Sequence, residues 1–172
     1  MKKLSTKQSP EPILRLTVRE SDVSPSGKDV GLIADAEQCV ALAALAQLGE
    51  VKRLEARLNL MPYSKHGLRV RGEIEGEVVY TCVVSLEPFP AKLSEKIDIT
   101  FMPPSRAMGK EVDIDPDAKD SPELLVDGEA DLGTLVQEYF MLALDPYPRK
   151  PGVSFAPVET PSMPAKLIEL KR

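Results

Sequence analysis

Apolar and polar residues alternate strictly along two neighbouring segments, and this pattern constrains the fold more than any other feature of the chain. In the first segment, charged or polar residues separate four apolar positions, namely Leu54, Ala56, Leu58 and Leu60. The second segment repeats the pattern from Leu68 to Gly76, after a loop at 62–67. Because successive side chains of a strand point to opposite faces, each segment predicts a strand with one buried and one solvated face.

Further strands are predicted on both sides of this pair. Residues 12–20 fit a first strand, and the turn-rich stretch 21–29 follows it. The continuous apolar run at 78–84 predicts a strand that is covered on both faces. Residues 91–102 predict a strand with Ile97, Ile99 and Phe101 on one face, and a short strand is expected near 124–126.

Two helices are predicted from helical spacing and capping residues. The first begins at Asp35, whose carboxylate caps the first turn while Gln38 completes a capping box, and Gly49 is its expected stop. The second begins at Asp131 and ends at residues 145–146, where a proline follows an aspartate. The predicted fold class is α+β, a mostly antiparallel sheet of about five strands packed against two helices.

The length of 172 residues suits one domain. We expect a single domain at 12–148, a flexible N-terminal tail at 1–11 and a proline-rich, extended C-terminal tail at 149–172. No apolar run reaches the roughly 20 residues that span a bilayer, and no secretory signal is visible, so we expect a cytoplasmic protein without a membrane partner. Cys39 and Cys82 form no disulfide framework, and both are predicted to be small buried groups.

Motifs for catalysis and metal binding are missing from the sequence. It contains no HExxH, P-loop, GxGxxG or GxSxG motif, and its one histidine, His66, lies in a predicted loop. Cys82 is followed three residues later by Ser85 instead of a second cysteine, so a four-ligand zinc set is incomplete. The expectation is a non-enzymatic protein with no cofactor, no metal and no small-molecule substrate.

The segment from Tyr80 to Phe89 resembles the strand–turn signature of the YceD family, the large ribosomal RNA subunit accumulation proteins. That signature reads Cys-x-Arg-Cys-Leu-x-Pro followed by an aromatic or apolar residue. Four positions agree with it, namely Cys82, Leu86, Pro88 and Phe89. Val84 and Ser85 stand where the signature has arginine and the second cysteine, so a metal-binding role of cysteine-rich relatives is not carried over.

The order of later motifs also resembles this family. Asp131-Leu132 opens a helix, and Glu138 and Leu142-Ala143-Leu144 precede a prolyl stop. The chain closes on the basic and apolar segment 164–171. The resemblance implies an accessory factor in the synthesis, processing or stability of bacterial large-subunit ribosomal RNA, which binds precursor RNA or an assembling particle. The resemblance implies no catalytic residue in this chain.

The net charge of −5 is distributed unevenly. Residues 51–72 carry six basic groups and one acidic group, whereas residues 110–145 carry eleven acidic groups and two lysines. The acidic total argues against indiscriminate binding to nucleic acid. The basic segment 51–72 and the acidic segment 110–145 are each a candidate binding surface. The alternative for each is a solvated face or loop without a binding role.

The basic segment is the candidate RNA-binding surface. We expect four arginines to share the polar face of the alternating strands, with Lys52, Lys65 and His66 at the edge; they are Arg53, Arg57, Arg69 and Arg71. A guanidinium group can donate two hydrogen bonds to one phosphate. Apart from Tyr63 in the predicted loop, base-stacking aromatics are missing from these strands, so recognition of RNA backbone or shape is favoured.

The acidic segment is the competing candidate. Its carboxylates would dock a basic ribosomal protein without direct RNA contact, and the residues proposed for this are Asp113, Asp115, Asp117 and Asp120. The identity of the partner separates the two hypotheses: the basic surface predicts RNA, and the acidic segment predicts a basic protein.

Overall fold

The structure is a computed structural model that describes residues 12–64, 66–104 and 122–154. Outside these residues lie the whole predicted N-terminal tail (1–11), residues 155–172 of the predicted C-terminal tail, Lys65 and the four aspartates of the acidic segment. A short 3₁₀ turn occupies Glu20–Asp22. The regular elements are β1 (Thr17–Arg19), β2 (Lys28–Ile33), α1 (Ala36–Ala46), β3 (Glu50–Tyr63), β4 (Gly67–Thr81), β5 (Pro88–Met102), β6 (Glu123–Leu124), β7 (Glu129–Asp131) and α2 (Leu132–Leu142).

Five strands form one sheet in the order β2-β3-β4-β5-β6, and β1 pairs with β7 in a second, two-stranded sheet. Neighbours from β2 to β5 are antiparallel, whereas β6 joins the edge of β5 in parallel. The predicted α+β class with a mostly antiparallel sheet of five strands and two helices is therefore confirmed.

The alternating segments form the long β3–β4 hairpin, as their pattern predicts. Leu54 lies opposite Gly76 and Leu60 lies opposite Val70, so the apolar positions of both strands share one face. A register shift between Val51 and Arg53 inserts a bulge near the start of β3. A one-residue slip would turn every apolar side chain outwards, so burial of this face specifies the register.

Both helices lie on the apolar face of the sheet, and the opposite face is solvated. Helix α1 packs against β3, while α2 contacts β1, β4 and β5. The largest fully buried side chains come from both helices, from β3, β4 and β5, and from the segments next to β1 and β6: Phe140, Leu14, Leu42, Leu54, Leu60, Leu68, Ile74, Ile97, Leu125, Leu132, Val70 and Val78. An antiparallel sheet with one helix-covered face leaves the other face available for polar contacts.

The predicted helix starts are confirmed, but both helices end earlier than predicted. Asp35 accepts the amide hydrogen of Gln38 at 2.8 Å in a complete capping box, and Asp131 accepts that of Thr134 at 3.0 Å. Helix α1 ends at Gln47, which takes the left-handed conformation (φ 54°) in place of the predicted stop at Gly49. Helix α2 ends at Leu142, before the predicted boundary at residues 145–146.

Four strand predictions need correction. The first strand covers only Thr17–Arg19 of the predicted 12–20, and β2 was missed because its first residues fall in the turn-rich stretch. Only residues 78–81 of the run at 78–84 belong to β4, and they are covered on one face: Val78 and Tyr80 are buried, whereas Thr81 is exposed. Cys82 lies beyond the last residue of β4 instead of in the sheet. Within the described ranges, no helix has the length and apolar character required to cross a membrane.

Candidate nucleic-acid interface

All four predicted arginines lie on the solvated face of the β3–β4 hairpin. The register places Arg57 opposite Glu73 and Arg71 opposite Asn59, so outward-pointing positions of the two strands are neighbours. Lys52 is exposed beside the bulge, and His66 is exposed at the loop, with its Nδ1 3.5 Å from a carboxylate oxygen of Glu20. The pairing of β3 with β4 therefore places the four arginines on one polar face, as the sequence predicts.

The first two arginines share one carboxylate. Glu55 lies between them in β3, and its two oxygens accept hydrogen bonds from Nη2 of Arg53 and, at 3.0 Å, from Nη2 of Arg57. The carboxylate is nearly covered, whereas the side chains of Arg53 and Arg57 are 54% and 78% exposed. We call this set the β3 arginine cluster; its two guanidinium groups and one carboxylate carry a net charge of +1.

The other two arginines share a carboxylate from the next strand. Asp98 of β5 accepts two hydrogen bonds from Arg69, at 2.8 and 3.0 Å, and further contacts at 3.3 Å from Nε of Arg71. All three side chains remain partly accessible to solvent. This set is the β4 arginine cluster, and it also carries a net charge of +1.

Both shared carboxylates are stabilised in their ionised form. The hydrogen bond from Arg53 lowers the pKa of Glu55, and the charges of both neighbouring arginines act in the same direction. The hydrogen bond from Arg69 lowers the pKa of Asp98 in the same way, with a further contribution from Arg71. The two clusters therefore persist at neutral pH, with each carboxylate orienting a pair of guanidinium groups.

The whole face is balanced in charge, in contrast to the basic patch that the segment 51–72 alone suggests. Six basic side chains lie on it: Arg53, Arg57, Arg69, Arg71, Lys92 and Lys96. Six acidic side chains accompany them: Asp29, Glu55, Glu73, Glu75, Glu77 and Asp98. Any attraction for phosphate must therefore come from the local geometry of the two clusters.

Sequence reasoning missed both carboxylates. Glu55 was detectable, because a strand period of two places residues 53, 55 and 57 side by side on one face. Asp98 was not, because its position beside Arg69 depends on the register between β4 and β5.

A second site lies at the turn between β4 and β5, where the sulfur of Cys82 accepts three backbone hydrogen bonds. The donors are the N–H groups of Val84 and Ser85, both at 3.4 Å, and that of Lys150 at 3.3 Å. The Cys82 side chain is fully buried. Sequence reasoning predicted the burial but not this role as a hydrogen-bond acceptor, which needs the distant Lys150.

The segment after α2 is attached to this turn. The N–H of Val83 donates to the carbonyl of Pro148 at 2.9 Å, and the ammonium of Lys150 contacts the carboxylate of Glu87 at 2.7 Å. The N–H of Asp145 donates to the hydroxyl of Tyr80 at 3.1 Å. Backbone and side-chain contacts together hold residues 145–150 against the β4–β5 turn.

The hydrogen bonds to Cys82 favour its thiolate. The Ser85 side chain makes the largest contribution, followed by the backbone N–H groups of Ser85 and Lys150, and together they lower the pKa of Cys82 to about 6. Cys39 shows the opposite behaviour, because burial raises the pKa of its thiol. The two cysteines, both buried and free, thus differ in the charge state that the fold stabilises.

The folded protein is expected to gain stability from Cys82 as the pH rises. The pKa of Cys82 is about 6 in the folded chain and near the ordinary thiol value of 9.0 in the unfolded chain. A depressed pKa stabilises the fold fully above the unfolded value, and this contribution is lost as the pH falls through 6. The difference in the free energy of unfolding between the wild type and Cys82→Ser should therefore grow from pH 5.5 to pH 8.5 in urea titrations.

Cys39→Ala serves as the matched control for this pH series. Because the pKa of Cys39 is raised, its ionisation opposes folding, so its stability difference from the wild type should show no increase over the same range. A constant difference between the wild type and Cys82→Ser at all pH values would contradict a stabilised thiolate.

Metal ligands do not assemble at this turn or elsewhere in the described residues. No group of three or more histidine, cysteine, aspartate or glutamate side chains is placed to hold an ion there. Ser85 supplies a hydroxyl at the position where a second thiolate would be needed.

The comparisons with known proteins point to one family. A family model described as "Large ribosomal RNA subunit accumulation protein YceD" matches residues 70–166, which is more than half of the chain. This span includes most of β4, the Cys82 turn, β5 and α2. No curated protein and no solved structure matches the chain.

Proposed function

Because this chain belongs to the YceD family, we propose that it is a non-enzymatic accessory factor that binds large-subunit ribosomal RNA or its precursor in the bacterial cytoplasm. The family description names a role in the accumulation of this RNA. The proposed contact surface is the solvated face of the β3–β4 hairpin, with the two arginine clusters as phosphate-binding sites.

One observation carries this proposal: each shared carboxylate holds two arginines in place without neutralising both. A side chain that is already ordered loses less conformational entropy when it binds a phosphate. The positive charge left on each cluster supplies the attraction, and the exposed guanidinium surface supplies hydrogen-bond donors.

The composition of the face determines what kind of RNA contact it favours. Tyr63, the last residue of β3, is the one aromatic among the outward-pointing positions of these two strands as the structure describes them, so the face offers little surface for stacking bases. The acidic row on the second half of β4 lies opposite the β3 arginine cluster and weakens its attraction for phosphate; it comprises Glu73, Glu75 and Glu77. Contact with the backbone of folded RNA is therefore the proposed mode.

Reversal of the four arginines tests this surface. The variant Arg53→Glu, Arg57→Glu, Arg69→Glu and Arg71→Glu should bind a large-subunit ribosomal RNA transcript at least about tenfold more weakly, because every phosphate contact becomes a repulsion. The slope of binding against salt concentration should also become shallower, since fewer counterions are released. Filter binding at several salt concentrations measures both.

The matched control reverses four other exposed basic residues and changes the net charge by the same amount. It combines Lys28→Glu, Lys92→Glu, Lys96→Glu and Arg149→Glu, of which the second and third lie on the same face as the clusters. Equal weakening by both variants would show that total charge, not the arginine clusters, determines binding, and would contradict the proposed site.

Crosslinking in cells separates the two candidate partners. Enriched large-subunit precursor RNA that is lost in the four-arginine variant supports direct RNA contact. Recovery of a basic ribosomal protein without RNA crosslinks supports the alternative, in which the acidic segment with Asp113, Asp115, Asp117 and Asp120 acts as an adaptor.

A further inference from the structure

A groove of about 520 Å³ lies between the edge of the main sheet and the small two-stranded sheet. Its walls come from β1, the last part of β5, β6, β7 and the first turns of α2. Because β6 is the outermost strand of the five-stranded sheet, one wall of the groove is a sheet edge.

The groove is strongly acidic. Five carboxylates line it, and its one basic residue, Arg19, is paired with Glu129 at 2.8 Å. Asp131 is also occupied, because it caps α2 through the amide and hydroxyl of Thr134. In the described part of the chain, no basic side chain forms an ion pair with the remaining three carboxylates, Glu123, Asp127 and Glu138.

Apolar side chains accompany these carboxylates. Leu124 and Val126 line the groove with 47% and 64% of their surfaces exposed, and Phe101 and Leu135 contribute from the buried side. Exposed branched apolar residues rimmed by charge are typical of a surface that a partner covers.

We propose that this groove binds a lysine- or arginine-rich extended segment of a partner protein. Its basic side chains would pair with Glu123, Asp127 and Glu138, and an apolar side chain would cover Leu124 and Val126. Charge complementarity selects this partner, because the carboxylates repel an RNA backbone and attract ammonium or guanidinium groups. None of the residues that line the groove belongs to either arginine cluster.

A labelled peptide of sequence KKLKKLK tests the groove in the full chain. Fluorescence anisotropy should show saturable binding, and amide chemical-shift changes should cluster at residues 123–138. The variant Glu123→Lys and Glu138→Lys should weaken binding about tenfold, since two attractive pairs become repulsive. Both residues are exposed, so the variant is expected to fold.

Two controls separate this site from general attraction to an acidic protein. Glu50→Lys and Glu95→Lys change the net charge equally at exposed positions outside the groove and should leave the affinity unchanged. Leu124→Ser and Val126→Ser keep every charge but should weaken binding of KKLKKLK severalfold, as should replacement of the peptide leucines by serine.

Loss of binding in both groove variants, with no change in the control, supports the proposal. Equal weakening by the two charge variants, retention of full affinity in the serine variants, or no binding of the peptide to the wild type would overturn it. Tighter binding of an RNA oligonucleotide than of the peptide in the same groove would overturn it as well.

Discussion

Gly133→Ala is expected to lower the free energy of unfolding by about 3 kcal/mol, although alanine is the better helix former. A β-carbon at this position of α2 would lie 2.3 Å from the carbonyl oxygen of Leu14 and 2.8 Å from the nitrogen of Leu16. Both are backbone atoms, so the neighbouring segment itself must move.

That movement would disturb the start of α2 and the adjoining core. The carbonyl of Leu16 accepts hydrogen bonds from the amides of Leu132, at 2.8 Å, and Gly133, at 3.0 Å. Leu14 is fully buried. Displacement of residues 14–16 therefore weakens two hydrogen bonds and the packing of one core side chain together.

Urea unfolding measures this effect, with Gly31→Ala as the control. In β2 the nearest atom to an added β-carbon at Gly31 is 3.9 Å away, which is an ordinary contact. Alanine there should be neutral or slightly stabilising, because glycine loses more backbone entropy on folding. Similar stability of the wild type and Gly133→Ala would mean that the close approach of the two segments is not required by the fold.

Phe140→Ala should cost about 3–5 kcal/mol, which is the usual range for a fully buried phenylalanine. Phe140 is the largest side chain with no exposed surface, and it belongs to the helix that covers β4 and β5. The loss combines the transfer of a large apolar surface with the cavity that remains. Since whole domains are stable by only about 5–15 kcal/mol, the variant should be close to unfolding at 37 °C.

Leu142→Ala on the same helix is the comparison for this prediction. Leu142 is 76% exposed, so its truncation should change the free energy of unfolding by less than about 0.5 kcal/mol. Thermal and urea unfolding of both variants measure the contrast. A cost below about 1.5 kcal/mol for Phe140→Ala would contradict its central position in the core.

Local chemistry explains why much of the fold was predictable. The capping residues Asp35 and Asp131 act within one helical turn, so the helix starts were visible without tertiary information. Helix ends were predicted less well: the helix end at Gln47 preceded the expected glycine. Strand β2 was missed because a short edge strand needs only partial burial and has a weak pattern.

The candidate site was predictable only in part, because some of its contacts join residues that are far apart in the sequence. A strand period of two places Arg53 and Arg57 on one face with Glu55 between them, and this can be read from the chain. The pairing of Arg69 and Arg71 with Asp98 depends on an alignment of β4 with β5 that no local pattern specifies. The docking of Lys150 on Cys82 joins residues that are 68 positions apart.

The strands of the central hairpin, the starts of both helices, the fold class and the family signature around Cys82 can all be read from the amino-acid sequence. These features follow from short-range periodicity, capping and burial, each of which acts over a few residues. Only the tertiary structure specifies that Asp98 joins Arg69 and Arg71, that Cys82 accepts three amide hydrogens, and that an acidic groove opens beside β6. Each of these depends on which distant side chains share a small volume, because electrostatic and hydrogen-bond energies vary with distances of a few ångströms.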